Sequence, residues 1–370
     1  MNANTQKVSD TGVSIWLDDL NRDRITTGNL RDLTQTHNVV GVTTNPSIFQ
    51  KALSNIGPYD EQLAQLAKNN ASVEEAVRAA TTEDVKNACD IMSDIFNRSQ
   101  YQDGRVSIEV EPHLAHNTKA TEIQAQELWK TVNRPNAMIK IPATIEGLPA
   151  ITTTLAKGIS VNVTLVFSIA RDLEVVKAYI DGIEAADKAG FDLSKIASVS
   201  SFFVSRVDTT IDKLLDDIDT NEAKNLKGKA AVANARIAYA KHAQAFANDP
   251  RWAALEAKGA KKQRLLWAST GVKNPAYSDT MYVDDLCGKL IVNTMPEATL
   301  MAVADHSKAS GDSLSGKASE AETIIANIEK LGISMKLVTN KLEADGVEAF
   351  ITSWTDLLAN VKAGLTRNKA

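Results

Sequence analysis

A single lysine in a short apolar run is the residue with the clearest chemical potential. Lys140 lies between Ile139 and Ile141. Withdrawal of a lysine from water disfavours its ammonium form, and a neutral amine can attack a carbonyl carbon to form an imine. The alternative is a lysine at a strand end whose charged head reaches solvent. The strand pattern alone supports the two interpretations equally.

Two acidic residues are candidates for the proton transfers that imine chemistry requires. Asp18 and Glu109 each lie near the end of a short apolar run, and two separate carboxylates can divide acid and base steps between them. A simple salt bridge to the lysine is the alternative. Asn45, in the segment TTNPS, is a third polar candidate, although this asparagine can also end a strand and open a turn.

Two basic residues are candidates for phosphate binding. Arg206 follows the sixth apolar run, and Lys273 follows the seventh in STGVK. Phosphate sites in α/β barrels commonly lie in the late loops after the strands. Arginine suits bidentate hydrogen bonding to a phosphate, whereas lysine acts as a point charge. Either residue can equally be a solvated loop charge.

The elements that must position these residues are short runs rich in β-branched residues, which alternate with longer helical patterns. We predict strands at Ser14–Asp18, Val40–Asn45, Val106–Val110, Ala137–Ile141, Ser160–Val166, Ala197–Val204 and Arg264–Ser269, with a weaker eighth at Lys289–Asn293. About eight such units favour a (β/α)8 TIM barrel. No GxGxxG follows the first strand, which disfavours a dinucleotide-binding fold.

Several predicted strands alternate polar and apolar residues, so one face of each strand is polar. In a barrel this face points into the lumen. It brings together Asp18, Asn45, Glu109, Lys140, Asn162 and Thr164. All six lie at or near the carboxyl ends of their strands, where barrel enzymes build their sites. An antiparallel sheet with one wet face would give the same alternation, but the intervening helices disfavour it.

The length of 370 residues is explained by helical additions to one barrel domain spanning residues 1–370. Lys51–Arg105 and Thr220–Lys262 are predicted to be mostly helical insertions, the former with helices at Ser72–Ala80 and Thr82–Phe96. The loop SGDSLSG follows Ala309, and residues 310–370 are predicted to be helices packed on the barrel. Residues 1–12 are expected to form a flexible N-terminus.

Composition excludes several other classes of protein. The net charge of -5 argues against nucleic-acid and anionic-membrane partners. Two distant cysteines suggest neither a disulfide framework nor a zinc site. The first ten residues lack a signal-peptide pattern, and no run approaches the roughly 20 apolar residues of a membrane span. We expect a cytoplasmic protein; the sequence leaves its oligomeric state open.

With these residues assembled, the sequence resembles the transaldolases, most closely their longer bacterial type. The matching segments run in order from about Ser14 to Asp305. They read IWLDDLNRDRI, GVTTNPSIFQKAL, RVSIEVEPHLAHN, MIKIPAT, SVNVTLVFS, SSFFVSR and LLWASTGVKNPAYSDTMYVDDL. The resemblance implies a TIM-barrel transferase of the pentose phosphate pathway. Such an enzyme moves a dihydroxyacetone unit between sugar phosphates through a lysine Schiff base and requires no metal or organic cofactor.

The resemblance also implies a role for each candidate residue. Lys140 would be the Schiff-base lysine, and Asp18 the acid–base at the substrate C4 hydroxyl. Glu109, with Thr164, would hold a water for imine formation and hydrolysis. The hydroxyls of the dihydroxyacetone unit would be held by Asn45, Asn162 and Ser201. Arg206 and a second basic residue, for which Lys273 is our choice, would bind the sugar phosphate.

A related group, the fructose-6-phosphate aldolases, releases dihydroxyacetone to water instead of transferring it. These aldolases tend to carry Gln and Tyr where this chain has Glu109 and Phe203. A phenol near the imine would help to protonate the bound carbanion, and Phe203 cannot do so. The resemblance therefore implies an intermediate that persists until an acceptor aldose arrives.

Overall fold

The computed structural model describes residues 1–55 and 57–367, and its centre is a closed barrel of eight parallel strands. The strands pair in sequence order from β1 to β8, and β8 closes on β1. Their bounds are β1 Val13–Leu17, β2 Val39–Val42, β3 Arg105–Glu109, β4 Ala137–Pro142, β5 Val161–Val166, β6 Ser198–Phe203, β7 Arg264–Ala268 and β8 Ile291–Met295. The predicted TIM barrel is confirmed, and the antiparallel alternative is excluded because every strand pair is parallel.

Seventeen α-helices cover the described part of the chain, most of them between successive strands. Before β5 they are α1 Ala3–Asp10, α2 Arg22–Thr26, α3 Asn29–Thr36, α4 Pro46–Ala52, α5 Asp60–Lys68, α6 Val73–Arg98, α7 Thr118–Val132 and α8 Gly147–Ala156. After β5 they are α9 Ile169–Lys188, α10 Ser205–Ile218, α11 Asn221–Lys224, α12 Ala230–Asn248, α13 Trp252–Ala257, α14 Met281–Asp284, α15 Glu297–His306, α16 Ala318–Lys330 and α17 Met335–Arg367. No helix in the described ranges combines the length and the hydropathy of a membrane crossing.

The predicted strand bounds differ from the observed ones by up to three residues, and the differences have local causes. β2 ends at Val42 rather than Asn45, because the Asn45 side chain accepts the Ile48 N–H and caps α4. β8 begins at Ile291 rather than Lys289. The residue before it, Leu290, has a φ of 59°, in the left-handed region, which interrupts regular extended backbone at this point.

Two helical expectations were wrong. The insertion after β2 was expected to contain separate helices at Ser72–Ala80 and Thr82–Phe96, but α6 runs unbroken from Val73 to Arg98. The Thr81 and Thr82 hydroxyls bond to carbonyls one turn earlier, so the two threonines are accommodated within the helix. The expected flexible N-terminus is instead the helix α1, capped by Asn2 and with Val8 buried.

The strand that carries Asn162 and Thr164 contains a bulge near the mouth of the barrel. The pairing of β5 with β6 shifts between Val163 and Val166, and Leu165 has a φ of 59°. A left-handed leucine is strained, and such residues concentrate where side chains must be re-aimed. Asn162 precedes the bulge and pairs regularly with Lys140. The strand is irregular only beyond it, toward the rim of the barrel.

Candidate active site

A cavity of about 170 Å³ opens at the carboxyl ends of the strands. Seven of the ten residues singled out from the sequence line it: Asp18, Asn45, Lys140, Ser201, Phe203, Arg206 and Lys273. Five different strands or their following loops contribute these side chains, which is the usual construction of a site in this fold. The remaining three residues, Glu109, Asn162 and Thr164, are buried in the adjoining strands.

Lys140 is buried at the floor of this cavity. Only 4% of the residue is exposed, and its Nζ lies 3.1 Å from Glu109 Oε2. The same ammonium donates to the Thr44 carbonyl oxygen at 3.1 Å. The strand-end alternative, in which the lysine head reaches solvent, is therefore wrong. The register explains the contact, because β3 and β4 pair Glu109 with Lys140.

Glu109 is a buried carboxylate with unused bonding capacity. Burial raises its pKa to about 7 and the nearby Asp18 adds to the rise, although Lys140 opposes it. Its Oε1 has no hydrogen-bond partner among the described residues, and neither does Thr164 Oγ1 on β5. A carboxyl group that titrates near neutral pH can both accept and donate a proton in the same catalytic cycle.

Asp18 stands at the wall of the cavity, one residue after β1. Its Oδ1 accepts a hydrogen bond from Thr43 Oγ1 at 2.7 Å, and the Thr43 hydroxyl also lies 2.5 Å from that of Thr294. Burial raises the pKa of Asp18, whereas Lys140, Thr43 and Lys273 oppose the rise. The carboxylate is thus held in place and is a stronger base than a solvated aspartate.

A row of polar side chains crosses the barrel beside Lys140. Ser201 Oγ donates to Asn162 Oδ1 at 2.7 Å, and Asn162 Nδ2 donates to Ser107 Oγ at 3.0 Å. The register of β4 and β5 pairs Lys140 with Asn162. Asn45 serves two purposes: its Oδ1 caps α4, and the residue lines the cavity. The turn interpretation of Asn45 is therefore correct without excluding a binding role.

Two cationic residues face the outer part of the cavity. Arg206 is the second residue of α10, and its guanidinium carbon lies 5.4 Å from the centre of the Phe203 ring. Burial lowers the pKa of Arg206, partly offset by Asp345. Within residues 1–55 and 57–367, the side chains of Arg206 and Lys273 form no hydrogen bond and no ion pair. Two cations beside one cavity, neither of them in a direct ion pair with a described residue, favour an anionic ligand.

No pattern in the sequence predicts that the long helix α17 lies over the mouth of the barrel. Its Phe350 is buried and lines the cavity, with Lys140 Nζ 5.8 Å from the ring centre. Gly346, one turn earlier, lets the helix sit close: a Cβ there would lie 3.0 Å from Leu165 Cδ2 and 3.6 Å from Arg206 Nη1. Phe350 is followed by helical turns of mixed polarity, and this sequence context does not indicate that its side chain lies in the cavity.

A larger groove lies elsewhere on the molecule and lacks the features of a catalytic site. It measures about 810 Å³ and lies between α12 and α16, away from the strand ends. None of the candidate residues lines it. Within the described residues, no group of three or more His, Cys, Asp or Glu side chains is arranged to hold a metal ion.

Comparison with known proteins agrees with this geometry. Residues 15–361 match the family model described as Transaldolase/Fructose-6-phosphate aldolase. The chain belongs to this family. Within the family, a relative named Transaldolase 2 from Streptomyces coelicolor is 56% identical over 362 residues, covering 98% of this chain and 97% of the relative.

Other relatives of the transaldolase family match over similar lengths. A transaldolase from Saccharopolyspora erythraea is 54% identical over 368 residues, with 100% of this chain and 99% of the relative covered. A transaldolase from Mycobacterium marinum is 56% identical and covers 98% of both chains. The predicted resemblance is therefore confirmed over essentially the whole chain.

Proposed function

We propose that this protein is a transaldolase that moves a dihydroxyacetone unit from a ketose phosphate to an aldose phosphate. The donors would be sedoheptulose 7-phosphate or fructose 6-phosphate, and the acceptors glyceraldehyde 3-phosphate or erythrose 4-phosphate, as in the pentose phosphate pathway. The observation that carries the proposal is the buried contact of Lys140 Nζ with Glu109, at the floor of a cavity that Asp18 also lines. We further propose that residues 1–370 act as one domain, and a cytoplasmic location stays our prediction from the sequence.

Imine formation is the first covalent step. The Lys140 amine adds to the C2 carbonyl of the ketose, and the former carbonyl oxygen leaves as water. Glu109 is within hydrogen-bond reach of the nitrogen and takes a proton from it, then returns a proton to the departing hydroxyl. The unpartnered oxygens of Glu109 and Thr164 support the assignment of a mediating water to this pair.

Carbon–carbon cleavage follows from the imine. Asp18 removes the proton of the C4 hydroxyl, the C3–C4 bond breaks, and its electron pair moves into the protonated imine to give an enamine. The aldose phosphate then leaves. Burial raises the pKa of Asp18, which suits a group that must accept this proton and later return it during addition to the acceptor.

Substrate binding divides between the floor and the outer cavity. Asn45, Asn162 and Ser201 lie on the side of Lys140 and supply amide and hydroxyl groups for the hydroxyls of the three-carbon unit. Arg206 and Lys273 lie further out, where the phosphate of a six- or seven-carbon ketose would reach. An arginine that forms no ion pair can give its donors to a phosphate.

Part of the cavity wall is apolar, which favours transfer over hydrolysis. Phe203 lines the cavity and packs against Phe167, with the ring centres 5.0 Å apart. Phe350 covers the lysine from α17. Neither ring can donate a proton to the enamine carbon, so the intermediate is protected until an aldose adds to it.

The proposal is tested by measuring products with and without an acceptor. Purified protein with fructose 6-phosphate and erythrose 4-phosphate should form sedoheptulose 7-phosphate and glyceraldehyde 3-phosphate, and Lys140→Met should form neither. Lys157→Met, which changes an exposed lysine hydrogen-bonded to Gln126, is the matched control and should leave the rate unchanged. Steady release of free dihydroxyacetone without acceptor, at the rate of the acceptor reaction, would instead identify an aldolase.

A further inference from the structure

Lys273 lies on the boundary between two cavities. One is the catalytic cavity, and the other is an outer cavity of about 260 Å³ whose wall includes Asp212, Asp216 and Tyr277. A Cβ at Gly271 would lie 3.7 Å from Lys273 Nζ, so the ammonium folds back over the start of its own loop. The position of this loop, residues 269–280, therefore decides which cavity receives the charge.

The loop is fixed at its beginning beside the barrel. Ser205 N donates to the Ser269 carbonyl at 3.1 Å, and the two serine hydroxyls lie 2.9 Å apart. Thr270 Oγ1 donates to the Thr294 carbonyl at 2.9 Å. Only three residues separate Thr270 from Asn274, where the loop turns again.

The far end of the loop is fixed by Tyr277. A turn connects Asn274 to Tyr277. In this turn Ala276 N donates to Asn274 Oδ1 at 3.0 Å, and Tyr277 N donates to the Asn274 carbonyl at 3.1 Å. The Tyr277 hydroxyl donates to Asp212 Oδ2 at 2.6 Å. This hydrogen bond is the tyrosine's link to α10.

Asp212 is itself oriented by the helical insertion that precedes β7. Gly228 N donates to Asp212 Oδ1 at 2.8 Å. Gly228 has a φ of 70°, and a Cβ there would lie 2.8 Å from the Tyr277 ring, so no other residue fits beneath the tyrosine. The same helix, α10, carries Arg206 about one and two-thirds turns before Asp212.

We propose that Tyr277, through its hydrogen bond to Asp212, is a positioning residue that holds Lys273 over the catalytic cavity and so sets the affinity for the substrate phosphate. The inference rests on the proposed function. One helix then organises both cations: α10 carries Arg206 directly and holds the Lys273 loop through Asp212. Without the tyrosine hydroxyl the far end of the loop loses its hydrogen bond to α10, and Lys273 can move toward the acidic wall of the outer cavity.

The test is Tyr277→Phe, which removes one hydroxyl and keeps the ring. We expect the KM for fructose 6-phosphate to rise about three- to tenfold, the effect of weakening one partly exposed charge pair. The kcat should stay within about twofold, and kcat/KM for unphosphorylated fructose as donor should not change. In a Lys273→Met background, Tyr277→Phe should raise the KM by less than about twofold, because the coupled partner is already absent.

Two further variants keep the test decisive. Tyr239→Phe removes a hydroxyl that donates a hydrogen bond to the Lys289 carbonyl on another face of the protein. This variant should leave the kinetic constants for fructose 6-phosphate and for fructose unchanged. Asp212→Ala approaches the same link from the other side and should give the same selective rise in KM. Equal losses with phosphorylated and unphosphorylated donors, or full additivity with Lys273→Met, would overturn the inference. Absence of a borohydride-trapped adduct on Lys140 in the unmodified protein would instead overturn the proposed function.

Discussion

Replacement of Glu109 by glutamine should remove the pH dependence of imine formation. The change keeps the shape of the side chain and removes its ability to accept a proton from Lys140 at 3.1 Å. Asp18→Asn provides a useful background, because it stops the reaction before the carbon–carbon bond breaks. In that background the only covalent step is the one assigned to Glu109.

The magnitude follows from the environment of the carboxyl group. Burial raises the pKa of Glu109 to about 7. With Asp18 in place, its ionised fraction rises from about 1% at about pH 5 to about one half at about pH 7. Asp18→Asn removes a charge that contributes to the raised pKa, so in that background the inflection should lie below about pH 7 and the rate of imine formation should rise by less than about fiftyfold over that interval. A positioned general base contributes about 10²- to 10⁴-fold, so Glu109→Gln should be slower by about that factor at neutral pH. The glutamine variant should also give a flat profile.

The assay is a quenched-flow reaction with fructose 6-phosphate, followed by borohydride reduction and measurement of the intact mass. Asp18→Asn and the double variant Asp18→Asn/Glu109→Gln are compared across the pH range. Glu111→Gln, a carboxylate two residues further on that pairs with Arg78 and His113, is the control and should leave the profile unchanged. A double variant that forms the adduct at an undiminished rate, or that keeps the inflection of the Asp18→Asn variant, would refute the role of Glu109.

Three other outcomes test separate parts of the structure. Arg206→Met should raise the KM for fructose 6-phosphate by about tenfold or more and leave unphosphorylated donors unaffected; an equal effect on both would contradict phosphate binding. Phe203→Tyr places a phenol in the cavity wall and should increase dihydroxyacetone release without acceptor, and an unchanged ratio of release to transfer would count against the apolar-wall argument. Burial lowers the pKa of His242, but Asp172 at 2.9 Å and the Gln263 carbonyl outweigh it, so the net pKa is raised. The stability that this pair contributes is therefore fully present below about pH 6.5 and is lost as the pH rises through the folded-state pKa. Asp172→Asn should lower the free energy of unfolding in urea by about 3 kcal/mol at about pH 6 and by less at higher pH. A difference in unfolding free energy that does not change with pH would contradict the charge pairing.

The barrel could be predicted from the sequence because its signal is local. A parallel barrel repeats short strands and helices, and side-chain alternation with period two sorts each strand into a helix-facing and a lumen-facing set. Ser107, Glu109, Lys140 and Asn162 were placed on shared faces by this rule alone. The structure brings them into contact because adjacent strands pair in the same register.

The parts that could not be predicted depend on contacts between distant segments. Phe350 reaches the cavity because Gly346 lets α17 pack closely against β5 and Arg206. The spacing of apolar residues in the C-terminal sequence does not indicate this close packing. The link from Tyr277 to Asp212 joins a loop to helix α10 across 65 residues of sequence. Propensity favours neither contact, since both arise from how the elements pack.

The continuous helix α6 shows a different limit. Thr81 and Thr82, residues of modest helix propensity, lie where the two predicted helices meet. Both are buried against the barrel side of the insertion, and their hydroxyls are satisfied by the carbonyls of the preceding turn. Tertiary packing therefore outweighed local preference.

The measurement that tests the central claim most directly is peptide mapping after borohydride reduction in the presence of fructose 6-phosphate. Lys140 is the nucleophile if one reduced dihydroxyacetone unit is found on the peptide that contains it and the Lys140→Met variant takes up no label. The buried environment of this lysine, in contact with Glu109 and beneath Phe350, leads us to expect that result. An unlabelled Lys140, under conditions in which a known imine-forming enzyme is trapped, would contradict the assignment of this site.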